Sequence, residues 1–219
     1  MAHDHHDHKH DHGQRHERFD DAAQTWDDDP SHEARQQVVA ELIAHTVDLT
    51  PETKALDIGG GTGRLSILLA DQVGSVLITD PSAGMVAVAV QRIAESGVAD
   101  RLHARQADLT HDQLDETFDV AWSSLAFHHV LDLDALLANV AGSLVSGGRL
   151  AIADLERDPD GAFHADKVDF DGHHGFDRAA LAEQLQSAGF EDVRFADATS
   201  IEKQGRDFGV FLCTAVKRA

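Results

Sequence analysis

The chain has 219 residues, 39 of them acidic and 18 basic, giving a formal net charge of -21. Phosphate backbones and anionic lipid surfaces are held by Lys and Arg clusters, which this sequence lacks, so neither nucleic acid nor such a surface is an expected partner. A hydrophobic share of 42% suits one domain with a full core, the apolar run at 85–90 is far too short for a membrane span, and the single Cys213 excludes an internal disulfide. A cytoplasmic protein is expected.

In chain order, residues 1–16 come first and hold seven of the 16 histidines, interleaved with Asp4, Asp7 and Asp11. Such a stretch has nothing to bury and reads as a disordered tail, leaving residues 17–219 as the domain. Imidazole and carboxylate together suit Zn, Ni or Cu, so His3, His5, His6, His8, His10 and His12 are candidates for weak divalent-cation binding. No metal ligand is expected within the domain. Residues 19–26 form a short amphipathic piece carrying Phe19 and Trp26. Ser31, after Pro30, is placed to cap a helix running to about residue 47.

From there the period alternates. Strands are predicted at 54–58, 75–79, 101–107, 118–122 and 149–153, with helices between them at 64–73, 83–96 and 134–144. Strands separated by helices of about ten residues make βαβ units and a parallel sheet. A helix at 177–188 follows, stopped by Gly189, then strands at 192–198 and 208–216 joined only by a loop, which pairs them antiparallel. The expected fold class is therefore α/β: a doubly wound, Rossmann-like sheet of seven strands, five parallel and then a C-terminal antiparallel hairpin, with helices on both faces.

The segment with the most chemistry in it is Asp57-Ile58-Gly59-Gly60-Gly61-Thr62-Gly63, at the end of the first strand. Glycines there let a ligand approach the backbone, and the helix that follows offers free N–H groups. A dinucleotide site needs G-x-G-x-x-G, yet Arg64 or Ser66 takes the third glycine position in either register. Asp80 ends the second strand, where an acid can accept hydrogen bonds from ribose hydroxyls. Asp108 ends the third, in Ala107-Asp108-Leu109. A lone Asp after a strand more often caps a turn, but three acids at three successive strand ends form a pattern.

The D-x-G-x-G-x-G spacing resembles motif I of the class I S-adenosylmethionine-dependent methyltransferases. The likeness extends over roughly residues 19–216 and is similar in detail to the ubiquinone/menaquinone C-methylase-like branch. Asp80-Pro81-Ser82-Ala83-Gly84-Met85-Val86 resembles that branch's D-x-S-x-x-M segment, and residues 118–130, ending in Phe127-His128-His129-Val130, its fourth strand and the loop after it. Leu144-Val145-Ser146-Gly147-Gly148 resembles its L-x-P-G-G turn, with Ser146 where proline is usual. The resemblance implies S-adenosyl-L-methionine as cofactor, held by Asp57, Gly59, Gly61, Gly63, Asp80, Pro81, Met85, Asp108, Leu109 and Ser123. It implies direct in-line methyl transfer to a small-molecule acceptor.

Departures from other branches narrow the chemistry. Ser123-Ser124-Leu125-Ala126 replaces the N-P-P-Y or D-P-P-Y of amide and exocyclic-amine methylases, and one cysteine is too few for arsenite methylation. His128 and His129 are the catalytic candidates, with His173, His174 and Asp154 in neighbouring loops. Strand order places 123–129 over the transferred methyl group, and residues 19–26 are expected to form the facing side of the acceptor pocket. Two other readings stay open: a metal-binding protein using the His-rich tail on this scaffold, and, more weakly, a NAD-dependent oxidoreductase.

Overall fold

The computed structural model describes residues 11–167 and 170–219, with the backbone alone for 11–16. Among the described residues six α-helices run in order: α1 (Asp11–Ala22), α2 (Pro30–Thr46), α3 (Arg64–Leu69), α4 (Ala83–Ser96), α5 (Leu133–Ser143) and α6 (Arg178–Ser187). Seven strands alternate with them: β1 (Lys54–Ile58), β2 (Ser75–Asp80), β3 (Leu102–Gln106), β4 (Phe118–Ser124), β5 (Leu144–Leu155), β6 (Phe190–Lys203) and β7 (Arg206–Lys217). They form one sheet in the order β3-β2-β1-β4-β5-β7-β6. The first five strands are parallel, and β7 lies antiparallel to both β5 and β6.

Side-chain alternation explains why both faces are covered. Along β5, Leu150 and Ile152 join one core with Leu136 and Leu137 of α5 and Leu181 and Leu185 of α6. Ala151 and Ala153 join the opposite core, with Val39 and Ile43 of α2, Leu65 and Leu69 of α3 and Ile93 of α4. Successive residues point to opposite faces, so a continuous apolar run is what a strand buried on both sides requires. Each fully buried Leu or Ile contributes about 1.5–3 kcal/mol.

Helix starts follow side-chain chemistry, with one revision to the sequence reading. Asp29, not Ser31, caps α2: its carboxylate accepts from the Ser31 N–H at 2.9 Å, and Pro30 takes the first helical position, where no N–H is needed. Ser82, Asp132 and Asp177 cap α4, α5 and α6 in the same way. The expected helix at 64–73 leaves the α form at Leu69 and finishes as a 3-10 turn. Of the expected tail, residues 1–10, with His3, His5, His6, His8 and His10, lie outside the described residues. The backbone at 11–16 is the first half of α1, so the expected boundary at residue 16 falls inside that helix; the side chain of His12 is likewise outside the description. No described helix is long and apolar enough to cross a membrane.

Strand order reverses between β1 and β4. The loops leaving their carboxyl ends therefore diverge, which opens a crevice at that point.

Candidate active site

The crevice is a cavity of about 600 Å³. Its floor is the turn after β1, where Gly59, Gly61 and Gly63 have φ of 62°, 55° and 77°. At Gly59 a side chain is excluded twice over: by the left-handed backbone, and by Ala126, whose Cβ would stand 2.5 Å from an added one. The turn after β1 and the loop after β4 are thus in direct contact. A Cβ on Gly60 would meet the Asp57 carboxyl carbon at 2.7 Å.

Asp57 lies beneath this turn rather than in the cavity. It is 1% exposed and accepts from the Ser66 hydroxyl at 2.6 Å. Burial raises its pKa to about 7, against the lowering effect of the Ser66 bond. Asp80 does line the cavity. Its Oδ2 accepts from the Gly61 N–H and its Oδ1 from the Ser82 N–H, both at 2.9 Å. Burial lifts its pKa to about 6, opposed by those two N–H groups. The carboxylate therefore ties the end of β2 to the glycine turn.

Of the other expected cofactor residues, Gly59, Gly61, Pro81, Met85, Asp108 and Leu109 line the cavity. Asp108 also has the turn role of a strand-end acid: its Oδ1 accepts from the Thr110 N–H at 3.0 Å and the Thr110 hydroxyl at 2.6 Å. Three expected residues sit elsewhere. Asp57 supports the turn from below, Gly63 precedes α3 as its cap, and Ser123 faces β1, donating to the Ile58 carbonyl at 2.8 Å. Ser124, one residue on and so on the other side of the strand, lines the cavity in place of Ser123.

Phe19 and Trp26 line the cavity from one side, and Ser124, Leu125, Ala126, Phe127 and His129 from the other. They meet where the Phe19 ring stands 5.1 Å from that of His129, edge to face, and 5.7 Å from that of Trp26. His128 does not line the cavity. It is buried behind His129, with its Nδ1 2.7 Å from Asp154 Oδ1.

Sequence reading missed what fastens the first wall. Asp20 accepts from the Ser82 hydroxyl at 2.5 Å and the Gly84 N–H at 2.8 Å, at the start of α4. Asp27 takes the Thr62 hydroxyl at 2.7 Å, Arg92 Nη1 at 2.7 Å and Arg64 Nε at 3.3 Å. It also missed His32, Arg35 and Gln36, which all line the cavity from α2. Their i, i+3, i+4 spacing, which puts them on one helical face, was the available signal. Arg35 Nε and Gln36 Oε1 are buried without a hydrogen-bond partner among the described residues. Burial lowers the Arg35 pKa, against the field of Asp29. No three His, Cys, Asp or Glu side chains among the described residues are grouped as metal ligands.

Residues 56–152 match the family model described as a methyltransferase domain. A methyltransferase of Streptomyces halstedii, GfsG, is 33% identical over 129 residues, covering 58% of this chain and 46% of that protein. The ubiquinone/menaquinone biosynthesis C-methyltransferase UbiE of Cellvibrio japonicus is 34% identical over 108 residues, 48% of this chain and 43% of UbiE. The chain thus spans less than half the length of these curated relatives. In fold it is similar to a chain from the Haloferax volcanii complex between the Trm112 methyltransferase activator and its methyltransferase. That likeness has a TM-score of 0.76 at 20% identity, covering 92% of this chain and 98% of the other. Residues 56–152 thus match the methyltransferase-domain model, and the seven-stranded sheet has the Rossmann-like fold of the methyltransferase structures it resembles.

Proposed function

We propose that the protein is an S-adenosylmethionine-dependent methyltransferase acting on a small-molecule acceptor. The observation that carries this reading is the make-up of the cavity: one enclosure lined by the glycine turn, by Asp80 and Asp108 and by Arg35, whose Nε is buried without a hydrogen-bond partner among the described residues. S-adenosylmethionine joins a nucleoside to a charged amino acid, and each part has a matching group here. Asp80 is placed to accept from ribose hydroxyls, and Pro81, Met85, Asp108 and Leu109 to hold the adenine. Arg35, a half-buried cation with an unpartnered Nε facing this cavity, suits the methionine carboxylate.

Once bound, the cofactor supplies an electrophilic methyl on a sulfonium that is already a good leaving group. The protein's own contribution is alignment and exclusion of water. Phe19, Trp26 and His129 form the aromatic enclosure for the acceptor, and we assign His129 to contact it. His128, set behind His129, acts on it at one remove.

Three finer readings accompany this. The acidic surface and the lack of basic clusters disfavour nucleic acid as the acceptor. The lone Cys213, a buried thiol, favours the cytoplasm. The His/Asp-rich first residues are read as binding divalent cations weakly, as an addition to the enzyme rather than an alternative to it.

The test is calorimetric titration with S-adenosylhomocysteine, NADH serving as control. Micromolar binding of the first alone supports the reading. Binding of NADH alone returns the protein to the oxidoreductases.

A further inference from the structure

Behind the aromatic wall lies a group of imidazoles that the cavity itself does not use. His128 is 3% exposed and Asp154 is fully buried. Asp154 accepts from the Leu155 N–H at 2.7 Å and the His128 N–H at 3.3 Å, besides the His128 ring. With Nδ1 donating to this carboxylate, Nε2 is the ring's acceptor. The His129 ring centre is 4.1 Å from that of His128.

On the far side of His128 stands His164, 5% exposed, with its ring centre 5.3 Å away. His164 stacks flat on Phe170 at 3.6 Å, and neither of its ring nitrogens has a hydrogen-bond partner among the described residues. Leaving two buried polar atoms unpaired is costly for a side chain that only fills space. His174 is next, its ring centre 5.7 Å from that of His164. It is exposed and lines a second cavity with His173, Arg157 and Asp158. The strip between the two cavities is stitched together by the His173 N–H, which donates to the His128 carbonyl at 2.7 Å.

We propose that His129, His128, His164 and His174 form a proton path from the acceptor cavity to the second cavity, with Asp154 as the positioning residue that sets its direction. The three ring pairs are tilted, and the His164 nitrogens make no direct hydrogen bond among the described residues, so bridging waters complete the relay. The proposal rests on the methyltransferase reading for its purpose. Transfer breaks the methyl C–S bond, whose electron pair stays on sulfur to give a neutral thioether. An electron pair of the acceptor, a lone pair on oxygen or nitrogen or the π or carbanion pair on carbon, forms the new bond to the methyl carbon. If that acceptor atom began as X–H, one proton remains in the enclosure for every turnover. The path carries that proton to water, and so assigns the acceptor to the class whose nucleophile is an O–H, N–H or C–H.

His164 is fitted to the middle position because it rests as the neutral imidazole, with one ring nitrogen protonated and the other free to accept. Burial first, then the fields of His128, His174 and Lys203, lower its pKa to about 4, against the opposite effect of Asp166. It accepts a proton only in passing.

The test needs no acceptor. In protein saturated with S-adenosylhomocysteine, nitrogen-15 NMR follows exchange of the His128 ring proton with solvent deuterium. The His129→Phe variant shuts the route through the acceptor cavity. In that background, His164→Phe or His174→Phe is expected to slow exchange about tenfold or more. His164→Gln serves as a second variant if the phenylalanine form does not fold. Asp154→Asn is expected to move the His128 proton from Nδ1 to Nε2. Unchanged exchange after loss of His164 and of His174 overturns the path. Failure of the unmodified protein to bind S-adenosylhomocysteine overturns the methyltransferase reading instead, and calorimetry separates the two results.

Discussion

Asp27 accepts the Thr62 hydroxyl at 2.7 Å across 35 residues of chain, joining the segment before α2 to the turn that floors the cavity. The same carboxylate holds Arg64 and Arg92, and its side chain is only 8% exposed. Asp27→Asn should cost about 1–3 kcal/mol, since the partly buried Arg92 loses its counter-charge and Arg64 keeps only the exposed Glu33. Urea unfolding measures that loss. The same variant should weaken S-adenosylhomocysteine binding, and calorimetry finding both quantities unaltered would remove the fastening role.

Asp80→Ala takes away the acceptor that faces the cavity and also frees the Gly61 N–H. Affinity for S-adenosylhomocysteine should fall about ten- to hundredfold, the range for losing charge-assisted hydrogen bonds. Because the Asp80 pKa is raised to about 6 in the free protein, unmodified affinity should also decline as pH drops below that value. The neutral acid is the poorer acceptor. A pH-independent affinity between 5 and 8 would contradict this assignment.

Asp57 gives a stability signature of opposite sense to most carboxylates. Its pKa rises from 3.8 to about 7 on folding, so between those values the folded chain holds a proton that the unfolded chain has lost. The stabilisation is fully present below about pH 4 and disappears as pH rises towards 7. Asp57→Asn should flatten that part of the profile while keeping the Ser66 hydroxyl bonded. Denaturant midpoints at several pH values, compared between the two proteins, decide it. Equal slopes would refute the assignment to Asp57.

His129→Ala and Trp26→Ala open the two sides of the aromatic enclosure without touching Asp80 or the glycine turn. Turnover on an accepted substrate should drop tenfold or more, with S-adenosylhomocysteine affinity kept within about threefold. Wild-type turnover in both variants would place the acceptor elsewhere.

Removal of residues 1–10 should leave the unfolding midpoint and S-adenosylhomocysteine affinity unaltered and reduce bound nickel or zinc. Metal analysis of the two proteins after dialysis reads the second effect. Equal metal content would end the cation-binding reading of His3, His5, His6, His8 and His10.

The sheet was legible because its signals are local. β1, β2, β4 and β5 each carry a short apolar run between turn residues, β3 alternates as an edge strand can, and the glycine turn sits where β1 must end. The revisions also have local causes. Ser123 and Ser124 both follow an apolar run, and only the register of β4 against β1 decides which faces the cavity. Asp57 belongs to the recognised spacing, yet its strand position points it under the turn. The functions of Asp20, Asp27 and Arg35 are set by partners such as Ser82, Thr62 and the cavity itself, tens of residues away. No periodicity carries that information. His128 and His129 are adjacent in sequence, and only the fold assigns one to the cavity and the other to Asp154.

The place of β7 has a consequence for synthesis. Although made after β6, it lies between β6 and β5, so β6 has no final neighbour when it leaves the ribosome. Until residues 206–217 follow, the β5 edge from Arg149 to Leu155 exposes unpaired backbone along an apolar run, a template for pairing with another nascent chain. Translation that stalls within the last two strands should therefore yield chaperone-bound or aggregated polypeptide rather than a soluble fragment.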